Sequence, residues 1–210
     1  MLMDRGNPHG GDRYGKKLRI DFSANVNPFG TPDSVKRAVA EALDTLSFYP
    51  DAYCRSLRLA LSGYEGVPYE HILCGNGAAE LIYSFAYAVG GTALILSPTF
   101  SEYETAWRAA GGTAVRCLLR EENGFYPDGA FLSRIEEGIS AVFLCAPNNP
   151  TGILYDADFI TAAAARCGAV GARLFLDCCF LDLADVPCRY AIPVLTAKFP
   201  NVLVLRAFTK

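Results

Sequence analysis

From His71 onward the chain alternates between short apolar runs and longer segments whose apolar residues recur at helical spacing. The runs at 71–74, 93–97, 113–118, 141–145, 174–177 and 202–206 have the length and composition of buried strands. The segments between them predict helices over 78–89, 102–110, 130–137, 157–167 and 191–199. Strand, helix, strand at this rhythm implies right-handed crossovers. The expected fold is therefore α/β, a mostly parallel sheet with helices on both faces.

The first 70 residues follow another pattern. Gly6, Pro8, Gly10, Gly11, Gly15, Pro28 and Gly30 punctuate a loop-rich arm with one short candidate strand at 18–22. Thr31-Pro32-Asp33 then reads as an N-cap, a proline at the first helical position and an acid in the first turn. Val35, Ala38, Ala42, Leu43 and Leu46 follow as one apolar stripe. Phe48-Tyr49-Pro50-Asp51 breaks that helix, and a second is expected over 52–64. The organisation predicted is an arm with a first helix (1–50) and a large domain (51–210).

Composition narrows the class. Of 210 residues, 51% are hydrophobic and 20% charged, which excludes a disordered chain. A net charge of −3 leaves no basic surplus for nucleic acid or an anionic membrane surface. The longest apolar region, 159–181, is interrupted by Arg166, Arg173 and Asp177, so no transmembrane span is expected. The first 13 residues hold no apolar stretch of signal-peptide type, and the cytoplasm is the expected compartment. Eight cysteines occur without a C-x-x-C pair and beside only two histidines, His9 and His71. They read as small hydrophobes in a reducing compartment rather than as metal ligands.

In open α/β sheets ligands bind beyond the carboxyl ends of the strands, so the residues after each strand carry the candidate chemistry. Gly75-Asn76-Gly77-Ala78-Ala79-Glu80 opens a helix after 71–74. Small residues there let the backbone approach an anion, and a helix N-terminus offers unpaired N–H groups. Glu80 replaces the third glycine of the dinucleotide fingerprint and no ribose-binding acid follows about 20 residues on, which disfavours NAD. The alternative is an ordinary turn. Phe100 is either a stacking face or a core residue, and Asn149, between Asn148 and Pro150, either a rigid amide donor or a turn residue. Asp177 ends the apolar run Leu174-Phe175-Leu176 and needs a partner, either an arginine or a cationic ring nitrogen. Lys210 follows the run at 202–206 on the same edge, although alone it reads as a frayed end. One cofactor uses the whole set: pyridoxal 5′-phosphate needs a phosphate cradle, a lysine, an acid at its pyridine nitrogen and a face to stack on.

These stretches resemble the class I/II aminotransferase family of fold type I pyridoxal-phosphate enzymes. The resemblance rests on Gly75-Asn76-Gly77-Ala78-Ala79-Glu80, Pro147-Asn148-Asn149-Pro150-Thr151-Gly152 and Thr209-Lys210, in order and at fitting separations. It covers nearly the whole chain and is nearest to the histidinol-phosphate aminotransferase group. His9-Gly10-Gly11 and Asp21-Phe22-Ser23-Ala24-Asn25-Val26-Asn27-Pro28 resemble the threonine-phosphate decarboxylases of cobalamin biosynthesis. The resemblance implies that Lys210 would bond the cofactor aldehyde and later shuttle protons. Asp177 would pair with the pyridine nitrogen, Asn149 with the phenolic oxygen, and Phe100 would stack on the ring. Gly77 and the backbone N–H groups of Ala78 and Ala79, with the Thr209 hydroxyl, would hold the phosphate. Tyr49 would reach the phosphate in a neighbouring subunit, implying a homodimer. His9 and Asn25 would touch the phosphate of a small phosphorylated amino-acid substrate. Phe180 stands where transaminases of the group carry tyrosine and decarboxylases phenylalanine.

Three departures from the family pattern stand out. Asp177-Cys178-Cys179 replaces an Asp-Glu-Ala, and threonine rather than serine precedes the lysine. The family pattern also continues beyond its lysine. That further segment would carry an arginine for the cofactor phosphate and a small C-terminal domain with an arginine for the substrate carboxylate. The expected activity is decarboxylation of O-phospho-L-threonine, with transamination of histidinol phosphate as the alternative. A non-catalytic fragment of such an enzyme and a nucleotide-binding module are the rivals of other classes.

Overall fold

The computed structural model describes residue 11 and residues 19–185 and 190–208, so His9, Cys188, Thr209 and Lys210 lie outside the described residues. Contacts divide the chain into two units after Asp51.

In the first unit, α1 (Asp33–Glu41) continues into a 3₁₀ segment, Ala42–Ser47. The cap position falls to Pro32, held extended at ψ 144, and not to Thr31. Residues 19–22 form no strand. The Ser23 N–H and hydroxyl both donate to the Asp21 carboxylate, at 2.8 and 2.5 Å, and this local bonding takes the place of a ladder.

The second unit begins with α2 (Arg55–Glu65), closed by Gly66 at φ +70. The expected strand at 71–74 is absent. Pro68 starts a 3₁₀ turn, Tyr69–His71, and Gly75 follows soon after, leaving a short extended piece with Leu73 exposed. From there the alternation is realised as α3 (Gly77–Val89), β1 (Thr92–Ser97), α4 (Glu102–Ala109), β2 (Thr113–Leu118), β3 (Ile139–Cys145), α5 (Ala157–Ala169), β4 (Arg173–Asp177), α6 (Ile192–Lys198) and β5 (Val202–Leu205). The helix expected at 130–137 is a single 3₁₀ turn, Leu132–Arg134. Its apolar spacing reflects Phe131 and Ile135, both fully buried, one on each side of that turn.

All neighbouring strands pair in parallel, in the order β2-β1-β3-β4-β5. Successive side chains point to opposite faces, and each face has its own core. Leu94, Leu96, Val142, Leu144, Leu174 and Leu176 pack with Ile160, Ala163 and Ala164 of α5 and Leu195 of α6. Ala93, Ile95, Ala141, Phe143 and Phe175 pack with Ile82 and Phe85 of α3 and Ala106 and Trp107 of α4. The expected α/β fold, a mostly parallel sheet with helices on both faces, is the fold observed. No helix among the described residues is long and apolar enough to cross a membrane.

The second face is built on rings. Phe143 stacks on Tyr103 at 5.1 Å and meets Phe85, Trp107 and Phe175 at 5.6, 5.6 and 5.2 Å. Trp107 also donates its indole N–H to the Gly91 carbonyl at 3.0 Å, fixing the turn between α3 and β1. Phe143→Ala removes the centre of this group, 1% exposed, and is expected to cost about 3–5 kcal/mol in a urea titration. A loss below about 1 kcal/mol would show that the rings pack independently of one another.

Candidate active site

The parallel sheet sends the ends of β1, β3 and β4 to one edge, where Ser97, Cys145 and Asp177 lie. Cys145 and Asp177 are in register, and the Ala146 N–H donates to the Asp177 carbonyl at 2.8 Å. The Asp177 side chain is buried, at 5% exposure. Its Oδ2 accepts from the Tyr103 hydroxyl at 2.6 Å and its Oδ1 from the Cys179 N–H at 2.9 Å. Among the described residues it forms no ion pair. Burial, and then the adjacent Asp177 charge, push the Tyr103 phenol well above its ordinary value, so it remains a neutral donor. The same two causes push the Cys145 thiol up to about 12.

Asn148 anchors the loop after β3. It is 2% exposed and fully engaged. Its Nδ2 donates to the Pro98 carbonyl at 3.0 Å and to Thr151 Oγ1 at 2.9 Å, and its Oδ1 accepts from Thr99 Oγ1 at 2.7 Å. Its backbone bonds to Ile153 and Gly152 at 2.8 and 2.7 Å. The loops after β1 and β3 are thereby tied together, and Asn149 is presented half-buried beside them. Phe100, on the first of these loops, is half-buried and meets Tyr103 edge-on at 5.6 Å.

The 13-residue helix α3 enters β1 through Gly90 and Gly91, so its opposite end returns about 20 Å toward the carboxyl edge. That N-terminus carries no side-chain cap. The first-turn N–H groups of a helix have no intrahelical partner; here the Gly77 N–H donates to the Gly75 carbonyl at 3.0 Å, which leaves those of half-buried Ala78 and exposed Ala79. Gly77 sits at φ +83 over open space, while a Cβ at Gly75 would fall 2.9 Å from Leu81. Glu80 reaches back to accept from the Asn76 N–H and steadies the turn.

Arg206, just past β5, donates to Asp182 at 2.8 Å, to Glu65 at 3.1 Å and to the Cys178 carbonyl at 3.3 Å. It ties the end of β5 to the last residue of α2 and to the turn after β4. Half-buried Phe180 begins the 3₁₀ turn after β4. In the first unit, Asn25 is exposed in a loop pinned by Asp21 and Asn27, and Tyr49 is fully exposed. The edge thus gathers Phe100, Asn149, Asp177 and Phe180, with the α3 N-terminus directed to it. The roles expected of His9, Thr209 and Lys210 fall outside the described residues.

The family described as aminotransferase class I and II matches the chain over residues 18–210. The chain belongs to this family. A threonine-phosphate decarboxylase of Salmonella typhimurium is 40% identical over 192 residues, covering 91% of this chain and 52% of that protein. A histidinol-phosphate aminotransferase of Caldicellulosiruptor saccharolyticus is 32% identical over 198 residues, covering 91% and 53%. Among solved structures, an aspartate aminotransferase double mutant of Thermus thermophilus superposes with a TM-score of 0.80 at 25% identity, covering 89% of this chain and 52% of that one. The chain spans about half the length of the curated relatives it matches.

Members of this family use pyridoxal phosphate, and the residues present fit that group. Asp177 is a buried carboxylate without a cation among the described residues, which a protonated ring nitrogen would supply. The uncapped α3 N-terminus offers N–H groups to an anion.

Three supporting residues escaped the sequence reading. Tyr103 lies one helical turn beyond Phe100 in the α4 pattern and reads there as an ordinary core aromatic. Asn148 reads as the mere neighbour of Asn149. Arg206 gives no local signal, because its partners lie 24 and 141 residues away.

Tyr103→Phe keeps the ring contacts and removes the donor to Asp177. It is expected to cost about 1.5–3 kcal/mol at pH 7, read by urea titration. A phenol raised in the folded state contributes stability below its unfolded value near pH 10 and loses it as the pH rises further. The gap between wild type and Tyr103→Phe is therefore expected to narrow above about pH 10. A gap that stays constant would contradict this assignment.

Proposed function

We propose that the chain is the cofactor-binding part of a pyridoxal-phosphate decarboxylase acting on O-phospho-L-threonine. The observation carrying the chemistry is the buried Asp177 carboxylate, held by two donors and without a cation among the described residues. The 40% identity to a threonine-phosphate decarboxylase supports the substrate. Phe180, in place of a tyrosine, agrees with decarboxylation.

The residues then take these roles. The N–H groups of Ala78 and Ala79 at the α3 terminus, with Gly77 leaving room, bind the cofactor phosphate, and the Thr209 hydroxyl adds a further bond. Asp177 holds a proton at the ring nitrogen, and Tyr103 and the Cys179 N–H keep its two oxygens in place. Asn149 donates to the ring oxygen. Phe100 would stack on the ring, with Phe180 at the start of the turn after β4. Lys210 would bond the cofactor when it is present and would move a proton at the substrate α-carbon. His9 and Asn25 bind the substrate phosphate, and Tyr49 extends to the cofactor phosphate of a second copy in a homodimer. When bound, the cofactor supplies an electron sink for the pair released at the α-carbon as carbon dioxide departs.

The 32% identity to a histidinol-phosphate aminotransferase favours a second reading, transamination. Assay of the protein from its full reading frame separates the two. Decarboxylation predicts carbon dioxide and 1-aminopropan-2-yl phosphate from phosphothreonine, without need of an oxo acid. Transfer of an amino group from glutamate or to 2-oxoglutarate would overturn it. Lys210→Ala is expected to abolish the visible absorbance formed with pyridoxal phosphate and to lower turnover by at least about 10²–10⁴. Absorbance retained in that variant would remove Lys210 from its role.

A further inference from the structure

A cleft of about 340 Å³ opens between the start of α2 and the turn that precedes α3. Cys54, Arg58, His71, Leu73 and Cys74 are among its lining residues. Cys54 is the residue before α2 and adopts the left-handed conformation, at φ 46. Cys74 ends the extended piece that leads into Gly75. The two thiols are 20 positions apart in sequence, yet both line this one cleft. Both are half-buried, whereas Cys117, Cys145, Cys167, Cys178 and Cys179 are buried. Arg58 is fixed beside them: its Nη2 donates to the Tyr69 carbonyl at 3.0 Å and its guanidinium lies 4.0 Å from the centre of the Tyr69 ring.

We infer that Cys54 and Cys74 form a redox modification site that closes to a reversible disulfide on exchange with a small-molecule disulfide. One cysteine thiolate attacks a sulfur of the small disulfide. An S–S bond forms to the protein, the original S–S bond breaks, and one small thiolate leaves. The second cysteine thiolate then attacks the protein-bound sulfur and expels the other small thiolate. Two protein thiols are oxidised, and one disulfide is reduced to two thiols. Burial and the neighbouring Cys54 raise the Cys74 thiol above its ordinary value, while Arg58 draws it back, so closure accelerates as the pH rises. Such a cross-link joins the start of α2 directly to the residue before the glycine turn. Its formation depends on the fold alone and is independent of the reaction catalysed.

The test treats the reduced full-length chain with oxidised glutathione, blocks the remaining thiols and maps the peptides by mass spectrometry. The expected product is a Cys54–Cys74 linked peptide as the dominant cross-link, reversed by dithiothreitol. In urea the same pair is expected to lose its dominance. Cys74→Ser is expected to retain a stable glutathione adduct on Cys54, because no second thiol remains to expel it. The inference is overturned if the folded wild type accumulates glutathione adducts on Cys54 or Cys74 without linking them. It is overturned equally if this pair is no more frequent in the folded protein than in urea.

Discussion

The structure turns on one buried negative charge. Asp177 ends an apolar strand and is almost removed from water, where an unpaired carboxylate is costly. The fold answers with neutral donors: a phenol on one oxygen and a backbone N–H on the other. These bonds reduce the cost and orient the carboxylate, but they supply no positive charge. In the proposed function that charge would come from a pyridine nitrogen held in its protonated form.

The donor on Oδ2 depends on the core beneath it. The Tyr103 ring is clamped between Phe143 and Phe100, and Phe143 sits on the central strand among Phe85, Trp107 and Phe175. The position of a single hydroxyl is therefore set by ring packing that extends across one whole face of the sheet. Asn148 does the corresponding work at the loops, consuming its entire hydrogen-bonding capacity so that Asn149 need not serve the fold. In both cases a structural residue carries the constraint for another, Tyr103 for Asp177 across 74 residues and Asn148 for its neighbour Asn149.

This division explains what was legible in the sequence. The strands of the central sheet are continuous apolar runs because both faces are covered, and they were found within one or two residues. The motif residues Gly77, Asn149 and Asp177 stood out because small, amide and acidic residues are unusual directly after such runs. The segment at 71–74 has the same apolar character but pairs with no strand among the described residues; pairing is a property of neighbours that a local pattern does not contain. The stripe at 130–137 misled for a related reason: Phe131 and Ile135 are a core contact of a single turn, and periodicity reports burial, not the length of the element. Tyr103 and Arg206 were invisible as site residues because their roles come from partners dozens of residues away, brought close only by the crossovers.

The cysteines show how environment divides one residue type. Around Asp177, burial raises the thiols of Cys145, Cys178 and Cys179, and the carboxylate raises them further. They stay protonated and neutral, so they add no second negative charge beside Asp177. The Cys178-Cys179 pair that departs from the family pattern is consistent with that need: small, apolar when protonated, and offering through the Cys179 N–H the bond that Oδ1 requires. Cys54 and Cys74 are only half-buried, beside an arginine, although burial still raises the Cys74 thiol. Among the described residues the fold buries five thiols and leaves two half-buried on one cleft, and reactivity follows from that placement rather than from the residue itself.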